Sequence, residues 1–247
     1  IANFNVASYR ARYADLRSAF GNNLKAYYDH YRINGYAEGR VATGSTELQN
    51  PTTVYNGVDY KLVYDYNYYI NKYPDIKAAF NGDENATLRH FVECGMNEGR
   101  QGKASFNVAA YRANYADLRS AFGRNLKAYY MHYIGSGYRE GRKATGNGVL
   151  KNPVTVYNGV DYSLVYDYNY YISKYSDLKA AFYGDDTAAL RHFVECGMNE
   201  GRQAKDSFNV KKYKNRYNDL QNAFGNDLKS YYMHYIGSGY KEGRKGN

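Results

Sequence analysis

Apolar side chains recur along this chain with the period of a helix. Counting from Phe4, the residues Tyr9, Tyr13, Leu16 and Phe20 fall at i, i+4, i+7 and i+11 of one face, and Tyr69, Tyr73, Ile76 and Phe80 hold the same places in a later segment. A second apolar stretch, from about Leu24 to Ile33, predicts another helix that buries Tyr28 and Tyr31, or Leu88 and Phe91 in the later segment. Gly35, Gly95, Gly137, Gly197 and Gly239 stand where that helix should end. Asn5 or Asp65 can cap the start of the first helix, and Gly21, Gly123 and Gly225 stand where a left-handed cap would stop it. Pro74 fits only the first position of a helix, so in its segment the first helix is expected to be two short ones meeting near Tyr73.

The pattern is a repeat. FNVASYRARYADLRSAFG at Phe4 returns 102 residues on at Phe106 and, more loosely, at Phe208, while YDYNYY at Tyr64 returns at Tyr166. Five ungapped units of 37 residues follow, each closing on Glu-Gly-Arg: 4–40, 64–100, 106–142, 166–202 and 208–244, in the order A1-B1-A2-B2-A3. Repeats of this length stack supersecondary units, because one copy cannot bury its apolar face alone. The A-to-B connections, 41–63 and 143–165, carry TVYNGVDY, in which Asn-Gly between Val/Tyr runs predicts a two-stranded hairpin. The B-to-A connections are only five residues long, 101–105 and 203–207. The expected fold is therefore all-α: a tandem array of five helix-turn-helix units with two small β-hairpin insertions.

Each repeat holds one histidine (His30, His90, His132, His192, His234), one aspartate (Asp15, Asp75, Asp117, Asp177, Asp219) and the closing Glu and Arg. That set invites an acid/base reading, but no Ser or Cys nucleophile accompanies it. The reading adopted is that these groups satisfy one another at the helix junctions. Cys94 and Cys196 share one position in the B repeats, too far apart along the chain to pair, and are expected to be free and mostly buried. The acidic turns at Gly82-Asp83-Glu84 and Gly184-Asp185-Asp186 lack the alternating oxygens of a calcium loop and are read as helix caps. No metal and no cofactor is expected.

The chain carries 33 Lys+Arg against 24 Asp+Glu, yet the A repeats are net positive and the B repeats net negative, so no continuous basic track exists for a nucleic acid. No stretch approaches the ~20 apolar residues of a membrane span. The opening at Ile1, without a start Met or a leader, reads as a piece of something longer, and a monomer is expected.

Tyrosine supplies 33 of the 247 residues. About half fall on the apolar stripes. Tyr27, Tyr129 and Tyr231 lie one place off the stripe and become Thr87 and Ala189 in the B repeats; Tyr68 and Tyr170 are aromatic only in B; the hairpins add Tyr55, Tyr60, Tyr157 and Tyr162. Tyr27, Tyr129, Tyr231, Tyr68, Tyr170, Tyr60 and Tyr162 are the candidate contact residues, as exposed rings for stacking or anchoring, with repetition adding avidity.

The motif F-x-V/Y-x-x-Y-x-x-x-Y-x-D-L-x-x-A-F-G, followed by H-Y/F, a glycine and E-G-R, resembles a tandem repeat of large secreted and surface proteins of clostridial-group Gram-positive gut bacteria, where the YNGVDY bridge also recurs. The resemblance covers nearly the whole chain and brings no ligand residues with it. It implies an extracellular or wall-associated location and a non-enzymatic attachment role, with a repeating glycan or cell-wall polymer as partner. Alternatives are a host protein such as mucin or immunoglobulin, towards which the absence of Trp leans, or a spacer role.

Overall fold

The computed structural model describes residues 3–80 and 82–247. The chain divides into two compact bodies, Ile1–Val108 with Asn125–Thr145, and Ala109–Arg124 with Gly146–Asn247, so that repeat A2 contributes to both. Among the described residues, fifteen α-helices of seven residues, three to a repeat, account for most of the regular structure, and every third helix runs into a five-residue π-helical turn. In A1 these are Val6–Arg12, Ala14–Phe20, Leu24–His30 and the π turn Tyr31–Gly35. The all-α tandem array with two hairpins is thus the observed architecture. The hairpins pair Val54–Tyr55 with Val58–Asp59 and Val156–Tyr157 with Val160–Asp161, antiparallel. Asn56 and Gly57, at φ 48° and 77°, make the two-residue turn that Asn-Gly predicts.

The first helix is broken in every repeat, not only where Pro74 stands. Tyr13, Tyr115, Tyr175 and Tyr217 have the same extended backbone between two helices without a proline after them. Tertiary contacts of the ring explain the break in A1. Tyr13 meets Tyr9 edge-on at 5.1 Å, its hydroxyl accepts the Val41 N–H at 2.8 Å, and the Arg40 guanidinium lies 4.7 Å over its face. A continuous helix would turn this ring away from Arg40. Pro74 is the first residue of Pro74–Phe80, as its missing N–H favours.

Asn5 and Asp65 cap their helices through Ser8 N–H and Tyr68 N–H. The glycines that stop the second helix of the A repeats are not in the left-handed helical region: Gly21 has φ 53° and ψ −119°, the first corner of a type II′ turn. Asp83 and Asp185 accept from Ala86 and Ala188 N–H, so the acidic turns do cap helices.

The core of A1 is Tyr9, Leu16, Tyr27, Tyr31 and Ala42, with Phe4, Val6, Tyr13 and Phe20 packed against it. Gly35 lies against Tyr9, where a Cβ would come within 2.2 Å of the Tyr9 hydroxyl. The π turn therefore needs glycine at its last residue to let the Tyr9–His30 pair close. Tyr28, expected in this core, is 46% exposed. Its counterparts Tyr130 and Tyr232 are fully buried, because a B repeat packs on each.

Candidate binding surface

The recurrent polar residues pair locally. Tyr9 hydroxyl and His30 Nδ1 share a hydrogen bond at 3.0 Å, as do Tyr69–His90, Tyr171–His192 and Tyr213–His234. The closing arginine binds elsewhere: Arg100 donates to Asp75 at 2.7 Å and to Glu98 at 2.5 Å, beneath the ring of Tyr73. The same group recurs as Arg40–Asp15–Glu38, Arg202–Asp177–Glu200 and Arg244–Asp219–Glu242. The hydrogen bonds from arginine hold the Asp75, Asp177 and Asp219 carboxyls below their ordinary range. Histidine and carboxylate thus have separate partners in each of these repeats.

Most of the tyrosines expected on the surface are interior. Tyr27, Tyr129 and Tyr231 are fully buried, and Tyr60 and Tyr162 are 4% exposed, so none of the five presents a ring to a ligand. The reason lies in an exchange between two positions. In A1 and A3 the phenol comes from the third helix, Tyr27 donating to Gly21 O at 2.7 Å and Tyr231 to Gly225 O at 2.9 Å, beside the small Val6 and Val210. In B2 the third helix has Ala189 and the phenol comes from the first: Tyr168 donates to Phe182 O and accepts Gly184 N–H at the same turn. Packing at that turn is served by one tyrosine delivered from either side. The loss of tyrosine at 87 and 189 therefore marks compensation by Tyr66 and Tyr168, both buried, and not a free surface position.

Tyr68 and Tyr170 are half-buried, and each has its own lysine over the ring, Lys72 at 5.3 Å and Lys174 at 5.1 Å, with the ammonium also donating to the hydroxyl. Tyr55 and Tyr157 donate to Glu93 and Glu195. Cys94 and Cys196 are free but exposed rather than buried. Their position is Asn34, Ser136 and Ser238 in the A repeats, a polar signal that marks it as outward-facing.

Tyr36, Tyr138 and Tyr240 are the equivalent aromatics that remain open, at 71%, 57% and 56% exposure. The B repeats hold fully buried Met96 and Met198 there. The π turn positions these rings: its wider turn sets residue i+5, not i+4, above residue i. Tyr36 N–H donates to Tyr31 O, and the two rings meet edge-on at 6.2 Å; Tyr133–Tyr138 and Tyr235–Tyr240 repeat this at 5.9 Å. Each outer ring is braced by a mostly buried one and leaves a face to solvent. The A-only occurrence of these tyrosines was readable from the sequence, but Tyr27 shares that signal and is core.

Two grooves at equivalent places add polar surface. In the first body one of about 490 Å³ is lined by Arg10, Arg17, Asn22, Tyr55, Glu84 and Arg89. Its counterpart in the second body, about 340 Å³, is lined by Arg112, Arg119, Asp185 and Asp186. The wall of each is a buried ion pair, Arg17–Glu84 at 2.7 Å and Arg119–Asp186 at 3.2 Å. Arg17 also donates to Arg10 O, Ala11 O, Gln49 O and Asn50 O, tying the long connection to both repeats. This arginine escapes the composition argument, yet a signal exists: A1 and A2 have it, while B1, B2 and A3 have Lys77, Lys179 and Gln221.

Among the described residues no helix is long and apolar enough to cross a membrane. No family model, no curated protein and no solved structure matches the chain.

Proposed function

We propose that this chain is a non-catalytic attachment module of a secreted or surface protein, holding a repeating glycan or cell-wall polymer on equivalent tyrosines. The observation that carries this reading is the exposed, braced ring on each of the three A repeats, Tyr36, Tyr138 and Tyr240. A ring with one free face stacks on a sugar, and three tethered copies raise the effective concentration each one sees of a polymer already held by the others. The net positive A repeats add attraction for an anionic polymer.

The test is retention of the full chain on intact Gram-positive wall sacculi, on sacculi stripped of teichoic acid, on mucin and on immunoglobulin. Retention on sacculi is expected. The triple variant Tyr36→Ala, Tyr138→Ala, Tyr240→Ala is expected to lose about tenfold or more in retention, with its melting temperature within about 2 °C of the parent, since surface changes cost little. Capture by mucin or immunoglobulin alone would replace this reading with that of a protein-binding adhesin.

A further inference from the structure

Two A repeats receive a B repeat on one and the same face. In A2, Tyr130 is fully buried, its ring edge-on to Phe91 at 5.8 Å and its hydroxyl donating to Arg100 O at 2.8 Å. Lys127 donates to Val92 O at 2.9 Å, and Leu126 packs at Gly99. In A3 the set returns without change: Tyr232 on Phe193 at 5.6 Å and on Arg202 O at 2.9 Å, Lys229 on Val194 O at 3.0 Å, Leu228 at Gly201.

A1 carries the same three anchors, uncovered. Leu24 is 54% exposed and Tyr28 46%, and Lys25 pairs with Asp29 on its own helix. Phe4 braces Tyr28 at 5.6 Å, as Phe106 and Phe208 brace Tyr130 and Tyr232 at 5.0 and 5.2 Å. Ile33, Tyr36 and Val41 extend the exposed apolar surface of this repeat.

We propose that this face of A1 is a seat for a further B-type repeat. The occupant is defined by the chemistry of the two filled seats: a phenylalanine edge for Tyr28, a main-chain carbonyl for its hydroxyl and another for Lys25, and a glycine under Leu24. B1 and B2 already spend those groups on A2 and A3, so neither serves A1 as well. The charges agree, A1 being net positive and the B repeats net negative. The rim differs. Asp29 and Arg32 stand where the other seats have Met131 or Met233 and Ile134 or Ile236, which narrows the choice of B-type partner and leaves the anchors in place.

The experiment extends the full chain by a copy of residues 166–207 joined directly to Phe4, and maps nitration of Tyr28 by tetranitromethane alongside thermal melting. Occupation of the seat lowers Tyr28 nitration about tenfold or more relative to the unextended chain and raises the melting temperature. The rise disappears when Tyr28→Ala is introduced. Unchanged Tyr28 reactivity in the extended chain overturns the proposal, and the same extension on Asp29→Met, Arg32→Ile shows whether the charged rim is the cause. A melting temperature that rises equally with and without Tyr28 overturns it too, because the gain then comes from elsewhere.

Discussion

The two kinds of junction between repeats are built from different chemistry. Across the long connections an arginine spends its donors on backbone carbonyls and one carboxylate, in a site where Arg17 and Arg119 are 4% and 6% exposed. Across the short connections a tyrosine is clamped between phenylalanines and uses one hydroxyl. The first type depends on exact placement of loop carbonyls and tolerates little change: Glu84 answers Arg17 with one oxygen and Thr52 N–H with the other, whereas the shorter Asp186 serves Arg119 and Val154 N–H through the same Oδ2, at 3.2 and 3.0 Å. The second depends on area removed from water. A junction of either kind specifies order, but they should fail under different conditions.

Alkali gives the largest effect and separates them. Burial raises the Tyr9 and Tyr168 phenols to about 12 and pushes those of Tyr130 and Tyr232 up further. An unfolded phenol titrates near 10, so the folded state holds these protons more tightly. The stability they contribute is complete below about pH 10 and is lost as pH rises towards and beyond 12. The arginine junctions are built without a phenol: Arg17 and Arg119 bond backbone carbonyls and one carboxylate each. Absorbance at 295 nm should therefore show a large step of tyrosine ionisation above pH 10 that coincides with loss of the helical circular dichroism. A single class titrating near 10 with the helix signal intact would show that the rings are not holding the repeats together.

Next in size is Arg119→Met. It leaves the buried Asp186 without its cation, and a cost of about 3–5 kcal/mol is expected in urea denaturation. A loss under about 1 kcal/mol would mean that neither the ion pair nor the bonds from Arg119 to the loop carbonyls fix this junction.

The smallest effects are a matched pair of hydroxyl deletions with opposite signs. Tyr232→Phe removes the bond to Arg202 O and should cost about 1 kcal/mol. Tyr166→Phe removes a buried hydroxyl that has no partner, at a position where the A repeats carry Phe4, Phe106 and Phe208, and should be neutral or stabilise by about 1 kcal/mol. Equal destabilisation by both would contradict the assignment of partners.

The N-caps, the hairpins and the arginine–carboxylate pairing were legible because each is local or repeats identically, whereas the histidine, expected to pair with them, bonds the first-helix tyrosine instead. The exposed surface was not legible. Tyr27 and Tyr36 both alternate with non-aromatic residues in the B repeats, and nothing in a one-dimensional comparison says that Tyr66 and Tyr168 refill the first place while Met96 and Met198 bury the second. The helix break was read only at Tyr73, where proline announces it, because the arginine that lies over this ring, Arg40 on Tyr13 as Arg100 on Tyr73, is distant in sequence.

By itself the sequence determined the unit, its order and its all-α character, since these follow from hydrophobic period, capping residues and turn chemistry acting over a few positions. Only the tertiary structure decided which tyrosines are core, which arginine locks a junction and which face of A1 lies open. Those outcomes depend on what packs across the gap between helices, and a side chain's neighbours there come from other repeats.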